Sequence, residues 1–217
     1  MQGQGEFRFP NGDVYKGAFV ANKFHGHGVY TTVGGEVYEG SWFKDKHHGQ
    51  GLLKLQNGLT YMGEYVKGEM QGEGVFKLPL GALYVGAMLE NKMHGRGVLK
   101  YSNGDVYEGG FFDNEKHGQG QVNYSNGDSY TCTWQEGKRH GTITYSFANG
   151  DMLTGEYVDD VPVRVAVVSL KINSITCSIA WPNTDPEKTA KDHAHAAREC
   201  VAPHEGLRTI YQLNRIG

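Results

Sequence analysis

Tyr38-Glu39-Gly40-Ser41-Trp42-Phe43-Lys44-Asp45-Lys46-His47-His48-Gly49-Gln50-Gly51 decides the fold, because most of this stretch comes back at a fixed distance. Its closing Gly-Gln-Gly is matched by Gly26-His27-Gly28, Gly72-Glu73-Gly74, Gly95-Arg96-Gly97 and Gly118-Gln119-Gly120, a step of 23 residues each time. Gly3-Gln4-Gly5 extends the step backwards and Gly141 extends it forwards, with Ile143 in place of the second glycine. Self-similarity of this kind marks stacked repeats. Counted from the first glycine of a unit, a further glycine follows at nine residues (Gly12, Gly35, Gly58, Gly81, Gly104, Gly127, Gly150). At twelve stand Tyr15, Tyr38, Tyr61, Tyr84, Tyr107 and Tyr130, then Leu153. At fourteen stand Gly17, Gly40, Gly63, Gly86, Gly109, Cys132 and Gly155, and at sixteen Phe19, Trp42, Tyr65, Met88, Phe111, Trp134 and Tyr157. Seven units fill residues 3–163 without an insertion.

A 23-residue unit is too short for a pair of helices and fits one β-hairpin with two turns. Asn11-Gly12, Asn57-Gly58, Asn103-Gly104, Asn126-Gly127 and Asn149-Gly150 are read as hairpin tips where the backbone needs positive φ. His-Gly-x-Gly is read as the second turn, joining one hairpin to the next. Alternation along a strand then places Tyr38, Gly40 and Trp42 on one face with Gly26, Gly28 and Tyr30, and Glu39, Ser41 and Thr31 on the other. The strand glycines open slots in which the large rings lie. The expectation is an all-β chain: an elongated single-layer array of antiparallel hairpins in which each unit meets mainly its neighbours.

Composition agrees with an ordered chain. At least 25 of the 32 glycines fall in four columns of the repeat, and there are only 6 prolines, so neither collagen nor a low-complexity tail fits. The net charge is −3, and residues 3–163 hold 14 Lys/Arg against 19 Asp/Glu, which argues against nucleic acid as a partner. Met1-Gln2-Gly3-Gln4-Gly5 has no signal-peptide pattern and no apolar run reaches membrane-span length. Cys132, Cys177 and Cys200 lie far apart and never in CxxC spacing, as in a reducing compartment without a structural zinc. A soluble, cytoplasmic protein is expected.

The chemistry reads as structural. No Gly-x-Gly continues as Gly-x-Gly-x-x-Gly into a helix and no GxxxxGK[ST] is present. The histidines His25, His48, His94, His117 and His140 stand one hairpin apart, roughly 10 Å by strand spacing, too far to share a zinc. Ser102, Ser125 and Ser146 occupy repeated strand-end positions, and Cys132 replaces a column glycine. No cofactor, metal or catalytic residue is expected, and the protein is read as a non-enzyme.

The units Tyr38-Glu39-Gly40-Ser41-Trp42 with His48-Gly49-Gln50-Gly51, and Tyr107-Glu108-Gly109-Gly110-Phe111 with His117-Gly118-Gln119-Gly120, resemble the MORN repeat (membrane occupation and recognition nexus). The resemblance covers residues 3–163; Met88, Cys132 and the last unit, with Ile143 and Leu153, depart from it. It implies a structural scaffold rather than an enzyme. MORN arrays occur in ciliary axonemes, radial-spoke heads above all, in parasite cytoskeletons, in membrane-junction proteins, and beside catalytic domains in phosphoinositide kinases and a SET methyltransferase. It therefore implies other proteins of a larger assembly as partners, in the cytoskeleton of a cilium or flagellum.

Two surfaces compete for partners. Most rings of the rows Tyr15, Tyr38, Tyr61, Tyr84, Tyr107, Tyr130 and Phe19, Trp42, Tyr65, Phe111, Trp134 are expected inside the core. A single sheet still has a face to cover, so these rows also make the candidate groove for a partner helix or peptide. The outer row Lys54, Lys77, Lys100 is the candidate for anionic lipid, but Glu39, Glu64, Glu108 and Glu156 run beside it, and membrane tethering is the weaker reading. A regulatory subunit of an enzyme in another chain is a third. The first strand, with no Tyr-x-Gly-aromatic strand before it, offers an edge for strand pairing unless upstream sequence exists. Beyond the array, residues 164–182 read as a degenerate capping hairpin, and 183–217 as a short helix from Thr184-Asp185-Pro186-Glu187, with Ala190, Ala194, Ala197 and Val201 on one face, and an extended tail.

Overall fold

Two kinds of turn alternate along the chain and decide where every strand begins and ends. In a computed structural model, which describes residues 1–163 and the strands Ala166–Leu170 and Ile175–Ile179, the first kind is the Asn-Gly loop. In residues 9–13 the Phe9 amide donates to the Asp13 carbonyl at 2.9 Å and the Gly12 amide to the Phe9 carbonyl at 3.0 Å. Only the glycine is left-handed there (φ 98°). Asn11 contributes differently from the expectation: its Oδ1 accepts the Asp13 amide at 3.1 Å, an Asx turn. Asn57, Asn103, Asn126 and Asn149 repeat that bond two residues on.

The second turn is not His-Gly-x-Gly. It is a two-residue turn lying between the Trp column and the His column: Ala21-Asn22 (φ 49° and 62°), Lys44-Asp45, Lys67-Gly68, Glu90-Asn91, Asp113-Asn114 and Asp159-Asp160, with positive φ at both residues. That is the primed geometry that matches strand twist. His-Gly-x-Gly lies inside a strand, where it makes a bulge. Gly17 pairs with Gly28 and Ala18 with His25, so Gly26 (φ 60°) and His27 have no partners on that side. The same shift recurs against each later unit, as between Gly40 and Trp42, and bends the strand each time.

The strands fall into two compact units. In Met1–Ser125, β1 (Gly3–Arg8), β2 (Val14–Val20), β3 (Lys23–Thr31), β4 (Val37–Phe43), β5 (Lys46–Lys54), β6 (Thr60–Val66), β7 (Glu69–Lys77), β8 (Leu83–Leu89), β9 (Lys92–Lys100), β10 (Val106–Phe112) and β11 (Glu115–Asn123) form an antiparallel meander, each strand pairing with its chain neighbours. Pro79–Gly81 is a short 3₁₀ turn that stands where the other loops have Asn-Gly. In Asn126–Gly217, β12 (Ser129–Gln135), β13 (Lys138–Ser146) and β14 (Met152–Val158) continue the pattern. The short β15 (Val161–Pro162) and β16 (Ala166–Leu170) both pair with β14, and β17 (Ile175–Ile179) pairs with β16. The helix and tail expected over 183–217 lie outside the described residues.

The core is the face on which the tyrosines stand. Tyr15, Tyr61, Tyr84 and Tyr107 have no exposed surface, and each leans along its own strand across the glycine two residues on. Its hydroxyl then donates to the backbone carbonyl three residues on: Tyr15 to Ala18, Tyr38 to Ser41, Tyr61 to Glu64, Tyr84 to Ala87 and Tyr107 to Gly110, at 2.7–3.2 Å. The slot is shared by two paired glycines, one on the ring's own strand and one on the neighbouring strand: Tyr15 lies over Gly17 and Gly28, and Tyr38 over Gly40 and Gly51. Tyr15 packs edge-on against Phe19 (5.2 Å) and against Trp42 of the next unit (5.3 Å), and Tyr38 does the same with Trp42 (5.1 Å) and Tyr65 (5.2 Å). Edge-to-face ladders of this kind add about 0.5–1.5 kcal/mol per pair beyond burial.

Hydrogen bonds stitch successive units at both turn rows. At the two-residue turns, Asp45, Asn91, Asn114 and Asp160 accept the amides of Phe24, Met70, Met93 and Arg139 at 2.8–3.0 Å. At the Asn-Gly loops, buried Asp13 accepts the Val33 amide and the Tyr30 hydroxyl, and buried Asp128 accepts the Ala148 amide and the Tyr145 hydroxyl, both at 2.9 Å. The Asp128→Ala variant removes two acceptors at once and strips Tyr145 of this partner. We expect it to lose about 1–3 kcal/mol in urea denaturation.

Candidate interaction surface

The expected groove rings are placed in the core. Tyr15, Tyr38, Tyr61, Tyr84, Tyr107 and Tyr130, with Phe19, Trp42, Tyr65, Phe111 and Trp134, are 0–6 % exposed. They pack against one another and against a further column at 24, 47, 70, 93, 116 and 139, whose members at 24, 47 and 116 lie over the tyrosine nine residues earlier. Phe24 stacks on Tyr15 at 3.7 Å with planes 10° apart, and His47 on Tyr38 at 3.5 Å and 11°. Lys116 sets its ammonium over Tyr107 at 4.8 Å, and Arg139 sets its guanidinium over Tyr157 at 5.1 Å. Sequence reading missed this column because its members share only a long or flat side chain: Phe24, His47, Met70, Met93, Lys116 and Arg139 have no common chemistry.

What the inner face leaves open is a cleft of about 430 Å³ over the first units, lined by Phe9, Phe24, Tyr30, Trp42, His47 and Leu53, with Glu36 and Asp45 among its polar groups. Of the eleven rings, only Tyr38 and Trp42 reach it. The Trp42 indole N–H is already committed, donating to the Gly28 carbonyl at 3.1 Å. Phe9 stands edge-on to Phe24 (6.1 Å) and Tyr30 (5.7 Å). Burial governs the ionisable groups here: it pushes the Tyr38 hydroxyl up to about 12 and the His47 imidazole down to about 4, so His47 is neutral. Tyr61 and Tyr84 are likewise raised to about 12 by burial. The cleft therefore presents an apolar, aromatic floor with carboxylates at its rim. It holds no nucleophile paired with a base.

The lysine row Lys54, Lys77, Lys100 lies on the opposite face, exposed, at the ends of β5, β7 and β9. Uncharged Thr60 pairs with both Lys54 and Lys77, and Leu83 with both Lys77 and Lys100. The histidine column also faces outward: His25 packs on Phe43 at 5.1 Å and His94 on Phe112 at 5.0 Å. Among the described residues no group of three or more His, Cys, Asp or Glu side chains could hold a metal, and no helix is long and apolar enough to cross a membrane. Cys132 is buried beside Ile143 in the glycine columns. These two fill the slot that a tyrosine ring takes elsewhere, and Tyr130 is tilted 40° from Trp134 at 6.2 Å instead of standing edge-on.

A family model for the MORN repeat matches residues 1–14, 15–37, 38–60, 61–79, 84–106, 107–129 and 130–152. The gap after residue 79 coincides with the turn at Pro79–Gly81. No curated protein matches the chain. Among solved structures, the SAS-4 (dCPAP) TCP domain of Drosophila melanogaster, in complex with a proline-rich motif of Ana2 (dSTIL), is similar at 10% identity and a TM-score of 0.48, covering 82% of this chain and 90% of that one. The TCP10 domain of Danio rerio CPAP is similar at 10% identity and a TM-score of 0.33, covering 82% and 100%.

Proposed function

The chain belongs to the MORN-repeat family, and on that premise we propose that it is a non-enzymatic scaffold that holds other proteins against its β-ribbon. The observation that carries this reading is the inner cleft of about 430 Å³: an aromatic floor sealed by its own ring ladder, with Glu36 and Asp45 at the rim. A floor of that kind takes the apolar face of a helix or an extended peptide, and the carboxylates favour basic residues on its flanks. The setting we propose is a microtubule-based cytoskeleton such as a ciliary or flagellar axoneme. The paired strands β16 (Ala166–Leu170) and β17 (Ile175–Ile179) would end the array.

The Leu53→Glu variant, which puts a carboxylate on the cleft floor, tests the reading. Affinity capture from ciliated cells is expected to lose its protein partners with Leu53→Glu and to keep them with Lys54→Glu/Lys77→Glu/Lys100→Glu. Partners retained at wild-type level by a Leu53→Glu protein with an unchanged circular dichroism spectrum would sink the cleft. Flotation with phosphatidylserine vesicles separates the membrane alternative: binding abolished by the three lysine substitutions would favour it instead.

A further inference from the structure

The outer face carries a second pocket, of about 340 Å³, at the two-residue turns that join β4 to β5 and β6 to β7. Phe43 and Val66 give it an apolar floor, and Lys44, Lys46, Lys67 and His48 stand around them. The repeat explains why cations gather here. The first residue of these turns runs Ala21, Lys44, Lys67, Glu90, Asp113 through Met1–Ser125, so two neighbouring turns open on a lysine where later ones open on an acid. The Asp45 carboxylate that follows Lys44 is held by Lys23 and the Phe24 amide. Elsewhere a turn carboxylate meets the lysine that starts the preceding strand: Lys23 reaches Asp45 at 3.3 Å and Lys92 reaches Asp113 at 2.7 Å. The turn facing Lys46 is Lys67-Gly68, which offers no carboxylate. Among the described residues, none of Lys44, Lys46 and Lys67 is in an ion pair, and the Lys44 ammonium rests over the Phe43 ring at 5.2 Å.

Phe43 is itself out of place for a solvated face. Its ring lies between the imidazoles of His25 (5.1 Å) and His48 (5.6 Å), yet 45 % of it is exposed. An apolar floor ringed by unpaired ammonium groups calls for an occupant with both characters. We propose that this pocket binds an acidic peptide segment of a partner protein, with one aromatic or aliphatic side chain seated on Phe43 and Val66 and carboxylates on Lys44, Lys46 and Lys67. The site is separate from the inner cleft and does not depend on it. A peptide fits better than a bilayer because the patch is local. Glu39, Glu64 and Glu69 are exposed around it on the strands β4, β6 and β7, and an anionic membrane surface would meet them together with the lysines. Exposed ion pairs of this kind are individually weak and screened by salt, so affinity rests on charge and anchor acting together.

Fluorescence anisotropy with a labelled, end-capped peptide Gly-Asp-Glu-Phe-Glu-Asp-Gly tests the proposal. Binding is expected to weaken at least tenfold with Lys44→Glu/Lys46→Glu/Lys67→Glu, whose side chains are all exposed. It should weaken similarly with the neutral probe Gly-Asn-Gln-Phe-Gln-Asn-Gly and at least fivefold with Phe43→Ala, and it should fall as salt rises from 50 to 300 mM. Lys54→Glu/Lys77→Glu/Lys100→Glu and Leu53→Glu should leave it unchanged, the second separating this site from the cleft. Equal binding of the acidic and neutral probes, no binding of the acidic probe, or binding within twofold of wild type by the folded triple variant would each overturn the proposal. Phosphatidylserine vesicles that need Lys44, Lys46 and Lys67 where the peptide does not bind would also overturn it, and would reassign the patch to a membrane.

Discussion

Replacing Gly51 by alanine is expected to destabilise the protein by about 3 kcal/mol, the upper end of the usual range for forcing an extra group into a packed core. The methyl group would meet the Tyr38 ring, 2.6 Å from Cζ and 2.7 Å from Cε2, with the hydroxyl oxygen closer still. That ring has nowhere to move. Its hydroxyl is held by the Ser41 carbonyl, its edges by Trp42 and Tyr65, and its face by His47. Gly58→Ala makes the comparison that isolates packing from backbone conformation. Gly58 has φ 85° and nothing within 4 Å of an added Cβ, so alanine there costs only the left-handed strain, about 1–2 kcal/mol. Urea denaturation of the two variants reads the difference. Equal losses would mean that the strand glycines serve the backbone and not the ring. The junction of the sixth and seventh units shows the same exclusion in the natural sequence, since Cys132 and Ile143 stand in the two glycine columns and Tyr130 departs from the edge-on pose kept by Tyr38 and Tyr107.

The period carried the architecture because every unit repeats the same solution: glycine and tyrosine columns are visible in sequence, since only glycine clears the ring and only a long phenol reaches the carbonyl beyond it. The turns were half legible. Asn11-Gly12 marks a loop by composition, but Lys44-Asp45 and Glu90-Asn91 adopt left-handed φ without a glycine. The glycines of His-Gly-x-Gly looked like the missing turn while making a bulge. The loop aspartates Asp13 and Asp128 and the capping column at 24, 47, 70, 93, 116 and 139 were silent for another reason. The aspartates reach the adjacent unit, 17 and 20 residues away, and the column covers the ring nine residues before it with whatever side chain is long or flat enough. The candidate surface shifted accordingly. Rings prominent in sequence turned out to be the sealed interior, and the open cleft is floored largely by residues that vary between units.

His47 ties that interior to pH. Its imidazole lies flat on Tyr38 and edge-on to Trp42 and Tyr65, and burial lowers it from 6.5 to about 4. The folded protein therefore holds the neutral ring while the unfolded chain takes up a proton below pH 6.5. Stability is complete above that value and is lost as pH falls from 6.5 towards 4. At about 1.36 kcal/mol per pKa unit the ceiling on the loss by pH 4.5 is about 2.5 kcal/mol, and solvent screening of the half-buried ring brings it to about 1–2 kcal/mol. The Asp13 carboxyl, held below its ordinary 3.8 by the Tyr30 hydroxyl, the Val33 amide and Asn11, is lost only at lower pH, outside this window. His47→Phe places at 47 the ring that the first unit already carries at Phe24, so packing on Tyr38 is kept and the proton is removed. Urea midpoints at pH 7 and pH 4.5 are expected to diverge for the wild type and to lie much closer together for His47→Phe. If both proteins lose the same stability between those values, His47 is not the group that titrates. If the wild type loses none, the imidazole is solvated and does not cap Tyr38 as the structure has it. The expected result bears on the cleft as well. His47 lines it, so acid weakens the wall of the proposed binding surface.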